Sequence, residues 1–154
     1  MRPSGDQVQL GSENRVEVGG EEPTQRKILI VEDNPINQKV AIGILRKAGF
    51  LCQVVNNGQE AVEAYCSSQF DLVLMDCQMP IMDGFDATRA IRHFEEDHDR
   101  LLRTPIVALT ANAYQEIHDR CFESGMDAFL TKPVRAEVLI GLVRRLLAHQ
   151  QKVA

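Results

Sequence analysis

Long apolar runs are missing from this chain. The stretch ILIV at 28–31 is typical of the longest. A membrane-spanning helix needs about 20 consecutive apolar residues, so no transmembrane segment is expected. The first residues also lack the charged-then-apolar layout of a signal peptide. Positive charge is in deficit, with 17 Lys and Arg against 22 Asp and Glu and a net charge of −5. That balance argues against nucleic acid as the main partner, because phosphate binding wants a basic face. Cysteine is sparse and scattered: Cys52, Cys66, Cys77 and Cys121 form no C-x-x-C pair and have no closely spaced histidine. Four reduced, mostly buried thiols are expected rather than a disulfide framework or a metal cluster. Residues 1–26 contain no aromatic residue and no sustained periodicity, and their glycines and prolines interrupt a polar stretch. They read as a tail or linker without a core.

What is present fits one globular domain. The 154 residues carry 44% hydrophobic and 25% charged side chains, enough for a single core. From Lys27 onward five short apolar runs appear: ILIV (28–31), CQVV (52–55), LVLM (72–75), IVAL (106–109) and AFLT (128–131). Helix signals fill the gaps. Asn34-Pro35 supplies a cap and a first-turn proline, Ile36, Val40 and Ile44 recur on one face, and Gly49 stops the helix. Residues 58–68, with Ala61, Val62 and Tyr65, and 84–94, with Phe85, Thr88 and Ile91 or Arg92, repeat the pattern. Residues 113–125 end on Ser124-Gly125, and 135–150 carry Val138, Leu142, Leu146 and Leu147 on one stripe. Five alternations of strand and helix predict a parallel sheet covered on both faces with right-handed crossovers.

Ligands of such sheets bind beyond the carboxyl ends of the strands, where strand order reverses. Just past the runs lie Glu32 and Asp33, then Asp76, Thr110 and Lys132; the second strand ends in the turn residues Asn56 and Asn57. Singly, an acid past a strand is more often a solvated turn or cap than a site. Three acids on one rim are different, because a like-charged pair about 4 Å apart costs about 4 kcal/mol at an effective dielectric near 20. A raised pKa in one acid could relieve this. A divalent cation suits hard oxygen ligands better, and magnesium binds one or two carboxylates while sharing a position with phosphate. Lys132 and Thr110 then suit phosphoryl oxygens, and Asp76 stands where a carboxylate can attack phosphorus. Lys132-Pro133 adds a candidate cis bond that would aim the ammonium inward; the alternative is a trans proline opening the last helix.

The pieces ILIVEDNPINQKV, DLVLMDCQMPIMDGFDATRAIR, TPIVALTANA and GMDAFLTKP occur in order over residues 27–150. In them the chain resembles the receiver domain of two-component response regulators, and is most similar in phrasing to receivers of hybrid sensor histidine kinases. The resemblance implies a flavodoxin-like, doubly wound α/β fold with five parallel strands in the order 2-1-3-4-5 and five helices. It implies a receiver at 27–150, a tail or linker at 1–26 and a C-terminal tail at 151–154. It also implies Asp76 as the phosphoacceptor, with Glu32, Asp33, Asp76 and the Gln78 backbone carbonyl around Mg2+, for which Mn2+ can substitute. Lys132 and Thr110 are implied as phosphoryl contacts, and Thr110 and Phe129 as a switch pair. The acidic pair is Glu-Asp where many members have Asp-Asp, so Glu32 reaches the metal either directly or through water.

The implied activity is Mg-dependent transfer of a phosphoryl group from a phosphohistidine, with no stand-alone turnover beyond self-phosphorylation and autodephosphorylation. The donor is a histidine kinase phosphotransfer domain or a histidine phosphotransfer protein, docking near Pro35, Ile36 and Pro133; Ile36 fits a core position equally well. His93, His98, His118 and His149 lie in charged stretches and are expected at the surface. A place in a hybrid kinase is preferred to a stand-alone single-domain regulator, since receivers of this phrasing usually sit at the end of such kinases and residues 1–26 read as a linker. The implied setting is cytoplasmic, without membrane contact by this chain. Two other classes fit less well. A phosphatase of the haloacid dehalogenase type needs a second aspartate where Gln78 stands, and a flavodoxin-like cofactor domain needs a hydroxyl- and glycine-rich loop where EDNP stands.

Overall fold

Isoleucine, valine and leucine crowd the five short runs, and each run becomes a strand. The computed structural model describes residues 25–99 and 103–153. Its strands are β1 (Lys27–Val31), β2 (Leu51–Val55), β3 (Leu72–Asp76), β4 (Ile106–Thr110) and β5 (Ala128–Thr131). All pair in parallel in the order β2-β1-β3-β4-β5, as the resemblance implied. β3 and β4 are buried throughout, which explains why their sequences are apolar on both faces, whereas the edge strands β2 and β5 are partly exposed.

Helices α1 (Pro35–Lys47), α2 (Gly58–Ser67), α3 (Gly84–Asp97), α4 (Gln115–Ser124) and α5 (Ala136–Val153) connect and follow the strands. Side chains alternate along each strand and divide the core in two. Leu29, Val73, Met75 and Ile106 pack with Tyr65, Phe85, Ile91 and Cys121 beneath α2, α3 and α4. Ile28, Ile30, Leu74 and Val107 pack with Ala41, Leu45, Leu139 and Val143 beneath α1 and α5. The chain thus runs outward from β1 to β2, then crosses back to β3, and the order reverses between β1 and β3.

Local sequence sets the helix ends. The Asn34 side chain accepts the Ile36 and Asn37 N–H groups at 2.8 and 3.2 Å, ahead of Pro35 in the first turn. Asn57 caps α2 and Asp83 caps α3 in the same way. Gly125 closes α4 at φ 111°, a left-handed conformation that glycine adopts without strain.

Two helices turn differently from the sequence reading. On α1 the Ile36, Val40, Ile44 stripe meets the core only at Ile44: Ile36 is 71% and Val40 46% exposed, and Ala41 and Leu45 face the sheet. On α5 Val138 is exposed, while Leu147 is buried as expected, Leu142 and Leu146 pack half-buried against the core, and Leu139 and Val143 complete the buried row. In both helices apolar residues lie on adjoining stripes, and the sheet covers one wholly and the other in part. α5 also runs to Val153, past the expected end at 150, while residues 1–24 of the expected tail lie outside the described residues.

At the N-terminal end of the sheet a buried polar network clamps α3. Glu95 accepts from the Tyr65 hydroxyl at 2.6 Å and the Thr104 N–H at 2.8 Å, and pairs with Arg92 at 2.8 Å. Arg92 in turn meets Asp127 at 2.8 Å, and Asp127 accepts the Ile106 N–H at 2.8 Å. Every charge is paired, so removing one member strands the rest. Glu95→Ala is expected to lower stability by about 3 kcal/mol or more, read as a fall in the urea midpoint; an unchanged midpoint would mean that the network is not stabilising.

Candidate functional site

The C-terminal ends of β1, β3, β4 and β5 bring the expected residues to one cleft of about 220 Å³. Glu32 leaves β1 still bonded to the sheet, its N–H donating to Val55 at 3.1 Å. It is 1% exposed, Asp76 4% and Thr110 3%, while Asp33 is exposed at the mouth. Lys132, following β5, places its ammonium 3.2 Å from Glu32 Oε1 and 3.3 Å from Asp76 Oδ2. The Lys132–Pro133 peptide bond is cis, as the sequence suggested.

One ammonium does not balance this pocket. Burial and the Glu32 carboxylate push Asp76 up from 3.8 to about 6, against the opposing pull of Lys132 and the Gln78 N–H, which donates to Asp76 Oδ1 at 3.2 Å. Burial alone would depress Lys132, but Asp76 and Glu32 outweigh it and hold the ammonium above its usual range. Carboxylate oxygens of Glu32, Asp33 and Asp76 lie within 4.8 Å of one another. Glu32 Oε2 accepts the Asn34 N–H at 3.2 Å and the Asn37 amide at 3.4 Å. Oε1 is buried and meets Lys132 as an ion pair without a well-formed hydrogen bond. A buried, under-satisfied anionic oxygen among hard donors fits a divalent cation.

Other expected residues fall into place unevenly. Gln78 lines the cleft, and the group it turns to Asp76 is its N–H. The Thr110 hydroxyl points into its own loop, donating to the Asn112 carbonyl at 2.7 Å and accepting the Asn112 N–H at 3.1 Å. Phe129 is half-buried against His118, with ring centroids 3.8 Å apart. That contact corrects the surface expectation for His118, which is half-buried with Nε2 lacking a hydrogen-bond partner among the described residues; His93, His98 and His149 are exposed as expected. Pro35, Ile36 and Pro133 are exposed around the cleft, which removes the core alternative for Ile36.

The thiols are free, but only two are buried. Cys77 and Cys121 lie with sulfurs 3.9 Å apart, and burial pushes both thiols up, which leaves them protonated and unreactive. Cys52 is half-buried and Cys66 exposed, which corrects the expectation of a mostly buried set.

Two residues gained a role the sequence reading did not assign. Gly84 opens α3 with its N–H on the Cys77 carbonyl at 3.1 Å, and a Cβ there would overlap the Asp76 carbonyl. Glycine is therefore required for the loop after β3 to close over Asp76. Ile81, at the tip of that loop, is 80% exposed with φ 76°. A β-branched residue is strained in that region, and neither its angle nor its exposure leaves a mark in the sequence.

Fold and rim together define a doubly wound α/β domain whose site is a buried carboxylate paired with lysine at the switch point. The chain belongs to the response regulator receiver domain family, whose match spans residues 28–144. It is 43% identical over 129 residues to hybrid signal transduction histidine kinase B of Dictyostelium discoideum, covering 77% of this chain and 6% of that protein. It is 38% identical over 149 residues to histidine kinase 5 of Arabidopsis thaliana, covering 82% of this chain and 16% of that protein. The chain thus spans only a small part of the curated relatives it matches. Among solved structures, the receiver domain of the sensor histidine kinase PA1611 from Pseudomonas aeruginosa, with magnesium coordinated in its active-site cleft, is 39% identical with a TM-score of 0.73 over 81% of this chain and 99% of that one. The complex of the Saccharomyces cerevisiae histidine phosphotransfer protein Ypd1 with the receiver domain of the response regulator Ssk1 gives 34% identity and a TM-score of 0.78 over 82% of this chain and 91% of that one.

The raised Asp76 carboxyl has a thermodynamic consequence. Folding favours its protonated form, so this contribution to stability is full below about pH 4 and is lost as pH rises through 6. Without divalent cation, Asp76→Asn is expected to be more stable than the parent at pH 7 by on the order of 2 kcal/mol, with the gap narrowing as pH falls from 6 to 4. Thermal melts across that range check it, and a pH-independent gap would contradict the electrostatic cause.

Proposed function

We propose that this domain takes a phosphoryl group from a phosphohistidine onto Asp76 and converts the added charge into a change of surface. The observation that carries this reading is a buried carboxylate with a raised pKa, flanked by a second buried acid and a lysine. An Asp76 oxygen bonds to phosphorus as the donor's N–P bond breaks; the electron pair stays on the imidazole, which is then reprotonated. Glu32, Asp33, Asp76 and the Gln78 carbonyl would hold Mg2+, or Mn2+ in its place, which when bound neutralises charge on the phosphoryl oxygens. Lys132 pairs with a second phosphoryl oxygen. The new group brings about −1.5 to −2 charges, the Thr110 hydroxyl leaves Asn112 for it, and Phe129 follows into the vacated space.

The donor is a histidine kinase phosphotransfer domain or a histidine phosphotransfer protein. The yeast phosphotransfer complex supports this choice, as does the recurrence of such domains within large histidine kinases. A place in a hybrid kinase phosphorelay follows from the same likeness. Among the described residues no helix is long and apolar enough to cross a membrane, and we assign the domain itself to the aqueous, cytoplasmic side of such a kinase. Exposed apolar side chains adjoin the cleft-lining residues along the chain: Ile36, 71% exposed, and Pro35 lie between Asn34 and Asn37, Pro133 follows Lys132, and Ile81, 80% exposed, lies in the loop after Asp76. A partner that brings a phosphohistidine to Asp76 would bury them.

Incubation with a phosphorylated phosphotransfer protein and Mg2+ should give acid-labile label on the chain, and none on Asp76→Asn; label retained by the variant rules Asp76 out. Ile36→Asp and Ile81→Asp should slow that transfer about tenfold or more, while labelling by a small acyl phosphate stays at the parent rate. Equal slowing with both donors would place these residues in folding rather than docking.

A further inference from the structure

Glu32 is gripped from both ends by neighbours on α1. Gln38 Nε2 donates to the Glu32 backbone carbonyl at 2.6 Å and to Asn56 Oδ1 at 2.9 Å. Asn56 is itself fixed, because its N–H donates to Glu60 Oε1 at 2.8 Å. The β1–β2 ladder stops at the Val31–Val55 pair, so this side-chain amide stands in where the strand partner ends and ties the acidic turn to the loop after β2. At the other end, Asn37 Nδ2 and the Asn34 N–H both donate to Glu32 Oε2, at 3.4 and 3.2 Å. Oε2 thereby accepts two hydrogen bonds, and Oε1 is left facing Lys132 and the cleft.

We infer that Gln38 and Asn37 are positioning residues that pre-set the Glu32 carboxylate for a divalent cation. Glutamate has one more rotatable bond than aspartate, and unrestrained it would sample orientations that turn both oxygens from the cleft. Fixing the backbone carbonyl at one end and Oε2 at the other leaves one oxygen to present. Partners of this kind tune metal affinity in other sites by orienting the ligands. The inference rests on the proposed cation site and extends it to two residues outside the proposed set of metal ligands.

The test is Mg2+ affinity by isothermal titration calorimetry on the whole chain. Gln38→Met keeps length and removes the donors; Asn37→Ser shortens the second donor at a half-buried helix position and stands in if Gln38→Met melts below the assay temperature. Each is expected to weaken Mg2+ binding about tenfold. In a Glu32→Gln background, where no carboxylate remains to be oriented, the same changes should cost less than about twofold. Parent-like affinity in the single variants, or an equal loss in both backgrounds, overturns the positioning role and leaves the cation site standing. Absence of Mg2+ binding by the parent chain overturns the inference and the proposed site together.

Discussion

The charge imbalance beneath the rim governs this molecule. Two carboxylates, Glu32 and Asp76, are held almost wholly out of water, a third sits at the mouth, and a single ammonium is shared between the buried two. A buried ion pair of good geometry roughly offsets its own desolvation, but here one negative charge remains over. The strain is relieved in two ways, by a proton or by a cation. The raised Asp76 carboxyl fits the first, and the buried, under-satisfied Glu32 Oε1 beside Lys132 fits the second.

The opposite end of the same sheet shows what a stability-driven arrangement looks like. There Arg92, Glu95, Asp127, Tyr65 and Thr104 satisfy one another with bonds of 2.6 to 2.8 Å. Parallel strands buried on both faces make the frame rigid enough to carry both ends. The contrast follows from topology. All five strands point the same way, so every loop that can hold chemistry leaves from one rim, and the other rim is free to be sealed.

Much of this was legible before any coordinate. Continuous apolar runs such as LVLM give strands buried on both sides, and the polar residue that ends each run is where the rim lies. Asp76, Glu32, Asp33 and Lys132 could therefore be assembled from strand ends alone. Helix orientation was less legible. α1 carries Ile36 and Val40 on one stripe and Ala41 and Leu45 on another, and periodicity alone does not say which one meets the sheet. His118 sits among charged neighbours in sequence, yet packs on Phe129 because α4 lies over β5. Gly84 carries no signal of its own in the sequence; its closeness to the Asp76 carbonyl exists only once the loop has folded back.

The Thr110 hydroxyl is already spoken for, with one hydrogen bond given to Asn112 and one received from it. Swinging that oxygen toward Asp76 breaks both. At about 0.5–1.5 kcal/mol each, the pair suppresses spontaneous excursions on the order of ten- to a hundredfold. In the proposed switch, Asn112 therefore sets the threshold that an added phosphoryl group has to exceed.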